Sequence, residues 1–354
     1  RSFSITVQND APSNHFNTVL YSGNGGTQSI TGLNFSPGLV WLKPRSQADN
    51  HNLFDTIRGA TKQLISNSTS AQSTQPNTLT AFNSDGFSIG PDNNINTSGQ
   101  TYVGWNFKAG GAAVANTDGD INSQVSVNNT LGFSIVKHTG TGSTGTVGTG
   151  LSSTPELIIR KDLDATTDWW VYAPVSPYFG YLNNTDAFQA ANNAAYSYNQ
   201  TVPTSTIFNV GNTYSGNVNS NNYIAYCFTS KPGFSKVGSY TGNGSTIGPI
   251  VQTGFEPAFV MFKATNSGGN TYWVMLDNKR DGTTKKRLYA NSSSAEDTAI
   301  DVDFLSNGFK INTTNSDVNA NGITYLYLSF AADGSTATPS LANSFATTLN
   351  NSPS

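Results

Sequence analysis

The sequence predicts an all-β protein made of three tandem antiparallel β-sandwich units, and three observations carry that expectation. A set of short motifs recurs three times in one order, the strand-like runs are short and closed by turn residues, and no segment sustains a 3.6-residue apolar period. The composition agrees. Among 354 residues, 36% are hydrophobic and only 11% charged, with 34 glycines and an excess of Asn, Ser and Thr, residues that favour turns and caps over helix interiors. The 20 Phe, 15 Tyr and 5 Trp supply enough apolar surface to offset chain entropy, so folded cores are expected.

Each unit opens on a hairpin signature, Tyr21-Ser-Gly-Asn-Gly-Gly-Thr27, His138-Thr-Gly-Thr-Gly-Ser-Thr144 or Tyr240-Thr-Gly-Asn-Gly-Ser-Thr246. An apolar strand follows: Phe35-Ser-Pro-Gly-Leu-Val-Trp-Leu-Lys43, Pro155-Glu-Leu-Ile-Ile-Arg160 and Phe255-Glu-Pro-Ala-Phe-Val-Met-Phe-Lys263. These continuous runs suit a central strand covered on both faces. The outer units then share Asp55-Thr-Ile-Arg58 with Asp277-Asn-Lys-Arg280, Asn67-Ser-Thr-Ser-Ala71 with Asn291-Ser-Ser-Ser-Ala295, and Phe82-Asn-Ser-Asp-Gly-Phe87 with Phe304-Leu-Ser-Asn-Gly-Phe309. In the last pair, Ser84-Asp-Gly86 and Ser306-Asn-Gly308 provide the positive-φ residues of a tight turn. The closing strands read Tyr102-Val-Gly-Trp-Asn-Phe107, Tyr223-Ile-Ala-Tyr-Cys-Phe228 and Tyr325-Leu-Tyr-Leu-Ser-Phe330.

The offset between first and third copies drifts only from 219 residues at Tyr21/Tyr240 to 223 at Tyr102/Tyr325, which marks duplication. The middle copy, 118 residues on at Pro37/Pro155 and 121 at Tyr102/Tyr223, reads as divergent, lacking both the Asp-x-x-Arg and the Asn-Ser-x-Ser-Ala elements. The expected organisation is an N-terminal arm (1–15), repeat 1 (16–112), a linker (113–131), repeat 2 (132–230), repeat 3 (231–333) and a polar C-terminal tail (334–354). The linker predicts a looser first junction and a rigid second one. Only Ala187-Phe-Gln-Ala-Ala-Asn-Asn-Ala-Ala195 has a helical look.

The chemistry of the chain narrows its function. A net charge of −3 with scattered Lys and Arg offers no basic stripe for nucleic-acid phosphates. No run approaches the ~20 apolar residues of a membrane helix. Cys227 is alone, so neither an intrachain disulfide nor a thiolate zinc site is available, and its strand setting predicts an inert thiol. His15, His51 and His138 occupy three kinds of position with no nucleophile-elbow sequence beside them, which argues against a Ser-His-Asp hydrolase.

The carboxylate pairs Asp162/Asp164, Asp301/Asp303 and Asp118/Asp120 have spacings a glycosidase can use, but solvated turn carboxylates are the plainer reading. Asn116-Thr-Asp-Gly-Asp-Ile-Asn122 looks like a calcium loop, yet its glycine comes too early and Val127 stands where a bidentate Glu belongs. The glycines of Thr139 to Gly148 lack the lysine of a phosphate loop. No cofactor or metal is expected, and the Asp/Arg pairs are expected to be scaffold.

One recognition surface is expected in the middle copy. Trp170 and Trp273 are expected to be buried at one mid-unit strand, which turns Trp169 outward. With Tyr178, Asn183 and Asn184 it makes a candidate glycan site, the aromatic faces meeting sugar C–H groups and the amides bonding hydroxyls.

Over about residues 14–333 the motif order Tyr-x-Gly-Asn-Gly, Phe-x-Pro-x-x-Val-x-x-Lys, Asp-x-x-Arg-Gly (Asp55 to Gly59), Phe-x-Ser-Asp-Gly-Phe and Tyr-Val-x-Trp resembles a repeated, uncharacterised β-domain of marine tailed-phage virion proteins. Pro12-Ser-Asn-His-Phe-Asn-Thr-Val-Leu20 also looks like the start of such proteins. The third copy departs from the pattern, Asp281 replacing the glycine after Arg280. The resemblance implies concanavalin- or laminin-G-like jelly-roll sandwiches and a location in the virion, and gives no catalytic residues. The expected function is therefore non-enzymatic: a tail fibre, appendage or surface fibre that self-associates, a trimer being the first guess, contacts other virion proteins and binds a host glycan. A cellular extracellular adhesin is the alternative, and a polysaccharide depolymerase a more remote one.

Overall fold

The computed structural model describes residues 10–175, 179–189, 202–212, 216–267, 271–280 and 286–334. The expected arm (to residue 9), Tyr178, most of 187–195 and the tail from 335 lie outside them. Ala187 to Gln189 are described and are not helical.

Three units repeat one strand order. Unit 1 contains β1 (Phe16–Ser22), β2 (Gln28–Thr31), β3 (Leu39–Pro44), β4 (Asn52–Asp55), β5 (Lys62–Ile65), β6 (Ser73–Thr74), β7 (Leu79–Asn83), β8 (Gly86–Ile89) and β9 (Thr101–Phe107). Unit 2 contains β10 (Val114–Asn116), β11 (Ser123–Asn128), β12 (Phe133–Thr139), β13 (Gly145–Gly148), β14 (Leu157–Asp162), β15 (Trp170–Tyr172), β16 (Phe179–Tyr181), β17 (Ile207–Val210) and β18 (Asn222–Phe228). Unit 3 contains β19 (Ser235–Thr241), β20 (Ile250–Gln252), β21 (Pro257–Ala264), β22 (Val274–Asp277), β23 (Leu288–Tyr289), β24 (Val302–Leu305), β25 (Gly308–Ile311) and β26 (Thr324–Ala331).

The large antiparallel sheets run β1-β9-β3-β4-β5, β12-β18-β14-β15-β16 and β19-β26-β21-β22-β23, so first and last strands pair and the last lies beside the third. A small sheet, β2-β8-β7, β13-β17 or β20-β25-β24, covers one face of each. The fold is thus all-β, in several open antiparallel sheets. The stretch expected to be a linker is instead two strands: β10 and β11 extend unit 2 beyond β12, with Val125 opposite Val136. Alternation in Ser123-Gln-Val-Ser-Val-Asn128 explains why, since Val125 joins the interior of that sandwich.

Local turns follow their sequences. β7–β8 and β24–β25 are closed by two-residue turns at Ser84-Asp85 and Ser306-Asn307, and Gly86 and Gly308 have φ of 145° and 157°. A Cβ on Gly86 would sit 1.9 Å from the Ile30 carbonyl oxygen, so no other residue fits this pairing of β8 with β2. Tyr102, Tyr223 and Tyr325 each accept a backbone N–H from the turn before their own strand, from Thr97, Val218 and Ala320.

Three of the four hydrophobic clusters lie inside the individual sandwiches. The fourth joins the outer faces of all three large sheets into one core. At its centre the last phenylalanines of the closing strands meet: Phe107 to Phe228 at 6.1 Å, Phe107 to Phe330 at 5.3 Å and Phe228 to Phe330 at 6.1 Å between ring centroids. The units therefore surround a pseudo-threefold axis within one chain.

Because the central core belongs to all three units, we expect one cooperative calorimetric transition, and Phe107→Ala lowering the stability of the whole by about 3–5 kcal/mol. Two resolved transitions, or a loss confined to unit 1, would contradict a shared core.

Candidate functional site

The residues with chemistry converge on the three seams between units, where the same bonds repeat in cyclic order. Backbone N–H groups of Asp49, Thr167 and Thr271 donate to the carbonyls of Ser293, Thr69 and Thr185, at 2.8, 2.9 and 3.0 Å. In the opposite sense, N–H groups of Glu296, Gln72 and Phe188 donate to Arg45, Leu163 and Thr265, each at 2.9 Å. Unit 1 thus clasps unit 3, unit 2 clasps unit 1, and unit 3 clasps unit 2.

Lysine at the end of each central strand adds a cation to its seam. Lys43, Lys161 and Lys263 donate from Nζ to Ser293, Thr69 and Thr185, at 3.3, 3.1 and 3.1 Å, and each also bonds a carbonyl of its own unit. All three are fully buried. Burial lowers Lys43 and Lys161 to about 8 and Lys263 to about 7, against the opposing pull of nearby carboxylates such as Asp49, Asp162 and Asp186.

Trp169 belongs to this seam and corrects the expectation that it faces solvent. It has 0% exposure, packs in the central core, stacks on Tyr226 and donates its indole N–H to the Ile65 carbonyl of unit 1 at 2.9 Å. Trp273 does the same toward Tyr181 of unit 2, at 2.8 Å. Trp169, not Trp170, is the counterpart of Trp273, because each immediately precedes its strand. Trp170 is buried too, on the opposite face within unit 2, so simple alternation gives no outward residue here. In unit 1 the position is His51, which accepts from the Trp41 indole at 2.9 Å.

Asn183 is structural as well. Its Oδ1 accepts the Trp169 backbone N–H at 2.7 Å, as Asn67 accepts from His51 and Asn291 from Trp273, both at 2.9 Å. The middle copy has therefore kept this element, as Asn183-Asn184-Thr-Asp-Ala187, with only its first and last residues recognisable. Asn184 is tied into its own loop, its side chain bonded to Asp186 and its carbonyl accepting from the Asn291 amide. The three described members of the expected glycan site are thus used by the fold.

The Asp/Arg pairs are scaffold, as expected, and link neighbouring units. Asp55 and Arg58 form a fully buried ion pair, and Arg58 also donates to the Leu53 carbonyl. The Tyr226 hydroxyl of unit 2 donates to Asp55 at 2.8 Å. Asp277 and Arg280 pair at 2.6 Å, and the Trp105 indole of unit 1 donates to Asp277 at 3.0 Å. The remaining seam breaks the pattern at both ends: Ala173 stands where the acid would be, Leu328 of unit 3 where the aromatic donor would be, and both lie in the central core. Loss of the acid is matched by loss of its donor.

Elsewhere the candidate chemistry is spent in turns. Asp162 accepts from Asp164 N–H and the Asn221 amide, Asp164 from Asn222, Asp303 from Asn312, and Asp118 and Asp120 from Asn116 and Thr146. No cluster with metal-ligand composition occurs among the described residues. Cys227 is buried and its thiol is raised by burial, in keeping with an inert strand position. His138 replaces Tyr21 and Tyr240 and stacks on Tyr223 at 5.0 Å, as those tyrosines stack on Tyr102 and Tyr325. Neither of its ring nitrogens has a hydrogen-bond partner, and burial with Arg160 nearby lowers it to about 3.

A family model described as a domain of unknown function, DUF7483, matches residues 11–333, and the chain belongs to that family. The matched span takes in all three units. No curated protein and no solved structure matches the chain.

Two outcomes follow from the buried groups. Ala173→Asp places a carboxylate opposite apolar Leu328 and should cost about 3–5 kcal/mol in urea unfolding; a change under about 1 kcal/mol would mean that seam admits water. His138 is protonated below about pH 6.5 when unfolded and only near 3 when folded, so its contribution is intact above 6.5 and lost as pH falls toward 3. Stability should drop by about 1.4 kcal/mol per pH unit for this histidine below 6.5, and His138→Phe should remove that share of the slope. An unchanged slope in the variant would refute a neutral buried imidazole.

Proposed function

We propose that the chain is a non-enzymatic structural component of a virus particle, a fibre or other surface appendage, that works by assembly. The observation that carries the structural part is the use of the buried lysines, Asp/Arg pairs and indoles as ties that close three sandwiches into one ring. Groups locked in this way hold a shape rather than face a substrate. The particle assignment rests on the resemblance of the motif order to virion β-domains.

Assembly has surfaces to use. β20 is an edge strand, and Ile250 on it and Ile247 just before it are 65% and 79% exposed, an apolar pair beside unpaired backbone. Self-association and contacts with other virion proteins fit these edges. A host glycan remains part of the proposal only at a place other than Trp169.

Antibody raised against the purified chain should decorate intact particles at symmetric positions in electron micrographs, and Ile247→Asp/Ile250→Asp should lower its oligomer mass in light scattering. Particles that lack the chain would overturn the virion reading. A monomer unaffected by the double substitution would overturn assembly through β20.

A further inference from the structure

The seam between units 3 and 1 differs from the other two in connection and in chemistry. The chain passes directly from β9 to β10 and from β18 to β19, so units 1 and 2, and units 2 and 3, are consecutive, whereas units 3 and 1 are not. Where the other seams have the indoles of Trp169 and Trp273, this one has His51, a ring that can take up a proton. The ring is 0% exposed.

His51 is the middle member of an aromatic series that crosses the seam. Trp41 donates its indole N–H to His51 Nδ1 at 2.9 Å. The imidazole stacks on Trp105, with 6.2 Å between centroids and 11° between planes. Trp105 donates in turn to Asp277 of unit 3 at 3.0 Å, and the Arg280 guanidinium lies over its ring at 5.5 Å. An indole N–H can only donate, so Nδ1 is the acceptor and the neutral imidazole carries its hydrogen on Nε2. A second proton must therefore arrive at Nδ1, where it turns the acceptor into a donor that faces another donor.

The surroundings make that form costly. Burial, with Lys43 of unit 1 and Arg280 of unit 3 adding their charges, holds the imidazole well below its ordinary value, against a smaller pull from the Tyr289 backbone. The carboxylates at this seam are already engaged: Asp277 with Arg280 and Trp105, Glu296 with Arg45, Arg280 and Lys286, and Asp49 with the Asn50 N–H. Burial opposes the ionised form of Glu296, but Arg45 and Arg280 outweigh it and hold that carboxyl below its ordinary value of 4.5. Its ties are thus lost on further acidification, in the same sense as those of His51.

We infer that the seam between units 3 and 1 is an acid-opened joint: a proton taken up at His51 Nδ1 breaks the Trp41 bond and releases unit 1 from unit 3, while the two indole seams stay shut. Opening uncovers apolar surface that these units hide in each other, such as Phe16, which lies 5.5 Å from Phe259 and 4.6 Å from Phe330 between ring centroids. Acid then presents a face that neutral pH keeps covered. The inference is independent of the virion reading.

Hydrogen exchange read by mass spectrometry on the full chain, corrected for the intrinsic pH dependence of amide exchange, tests it by comparing the clasp amides of the three seams. Because the folded histidine lies below 6.5, the closed seam is fully favoured above that pH and opens about tenfold more often for each unit below it. Between pH 6.5 and 4.5 the protection of Asp49 and Glu296 should fall by roughly a hundredfold relative to that of Gln72 and Thr167 and that of Thr271 and Phe188. The buried lysines sit in all three seams and cancel in this comparison. His51→Gln keeps an acceptor for Trp41 but takes up no proton, and should hold Asp49 and Glu296 at the level of the other seams. His138→Phe, which removes the buried imidazole of unit 2, should leave their loss unchanged. Equal loss at all three seams in the unaltered chain, or earlier loss at an indole seam, overturns the inference, and so does undiminished acid loss in His51→Gln. The order in which the seams open is read in the unaltered chain, so the test stands whether or not the variant folds.

Discussion

The constraint on which the rest depends is that each large sheet is apolar on both faces. Every residue of Leu39–Pro44 and of Leu157–Asp162 is buried, and so are all but one of Pro257–Ala264. A small sheet covers only one of these faces. The other has about the area of another sheet to hide, and leaving it in water would forfeit roughly 25 cal/mol for each Å² of apolar surface. Three such faces turned toward a common axis cover one another, and the phenylalanine triangle of Phe107, Phe228 and Phe330 is where they meet.

Burying those faces also buries polar groups at the seams, which explains the density of ties there. A lysine ammonium or an aspartate cannot be left unpaired in such a place without a cost of several kcal/mol. Each is accordingly met from the neighbouring unit: Lys161 by Thr69, Asp55 by Tyr226, Asp277 by Trp105. Specificity comes with the same bonds, because they form only when the units stand in one rotational order.

Much of this architecture was legible in the sequence. The repeat, the turns at Gly86 and Gly308 and the scaffold role of the Asp/Arg pairs followed from spacing and local chemistry, since duplication leaves residues at equal offsets and hairpin turns have strict φ requirements. The reading failed where one unit's residues answer to another. Trp169 was assigned to solvent because Trp170 was assigned to the core, an inference that holds only for a sheet with one wet face. Asn183 was read as a glycan contact and not as the Asn of the recurring turn, because what persists there is its first and last residues and one amide bonded to a backbone N–H, too little for a visible motif. The run 113–131 looked like a linker because its polar and small residues hide the alternation of one short strand. A covered second face did have a signal in the unbroken apolar strands; what no single-unit reading supplies is the identity of the cover.

The matched loss of Asp at Ala173 and of its aromatic donor at Leu328 has a consequence for how the chain assembles itself. Two seams carry an Asp–Arg lock besides their lysine and one carries the lysine alone, so the three sandwiches are not interchangeable. Were unit 3 to dock where unit 2 belongs, Leu328 would face Asp55 and leave that carboxylate one bond short in a dry seam. The cyclic order is thus encoded twice, once by covalent succession and again by the chemistry of the joints. A ring made from identical subunits has no such memory of position, whereas a fused and diverged one can present three different outer faces at fixed angles from a single gene product.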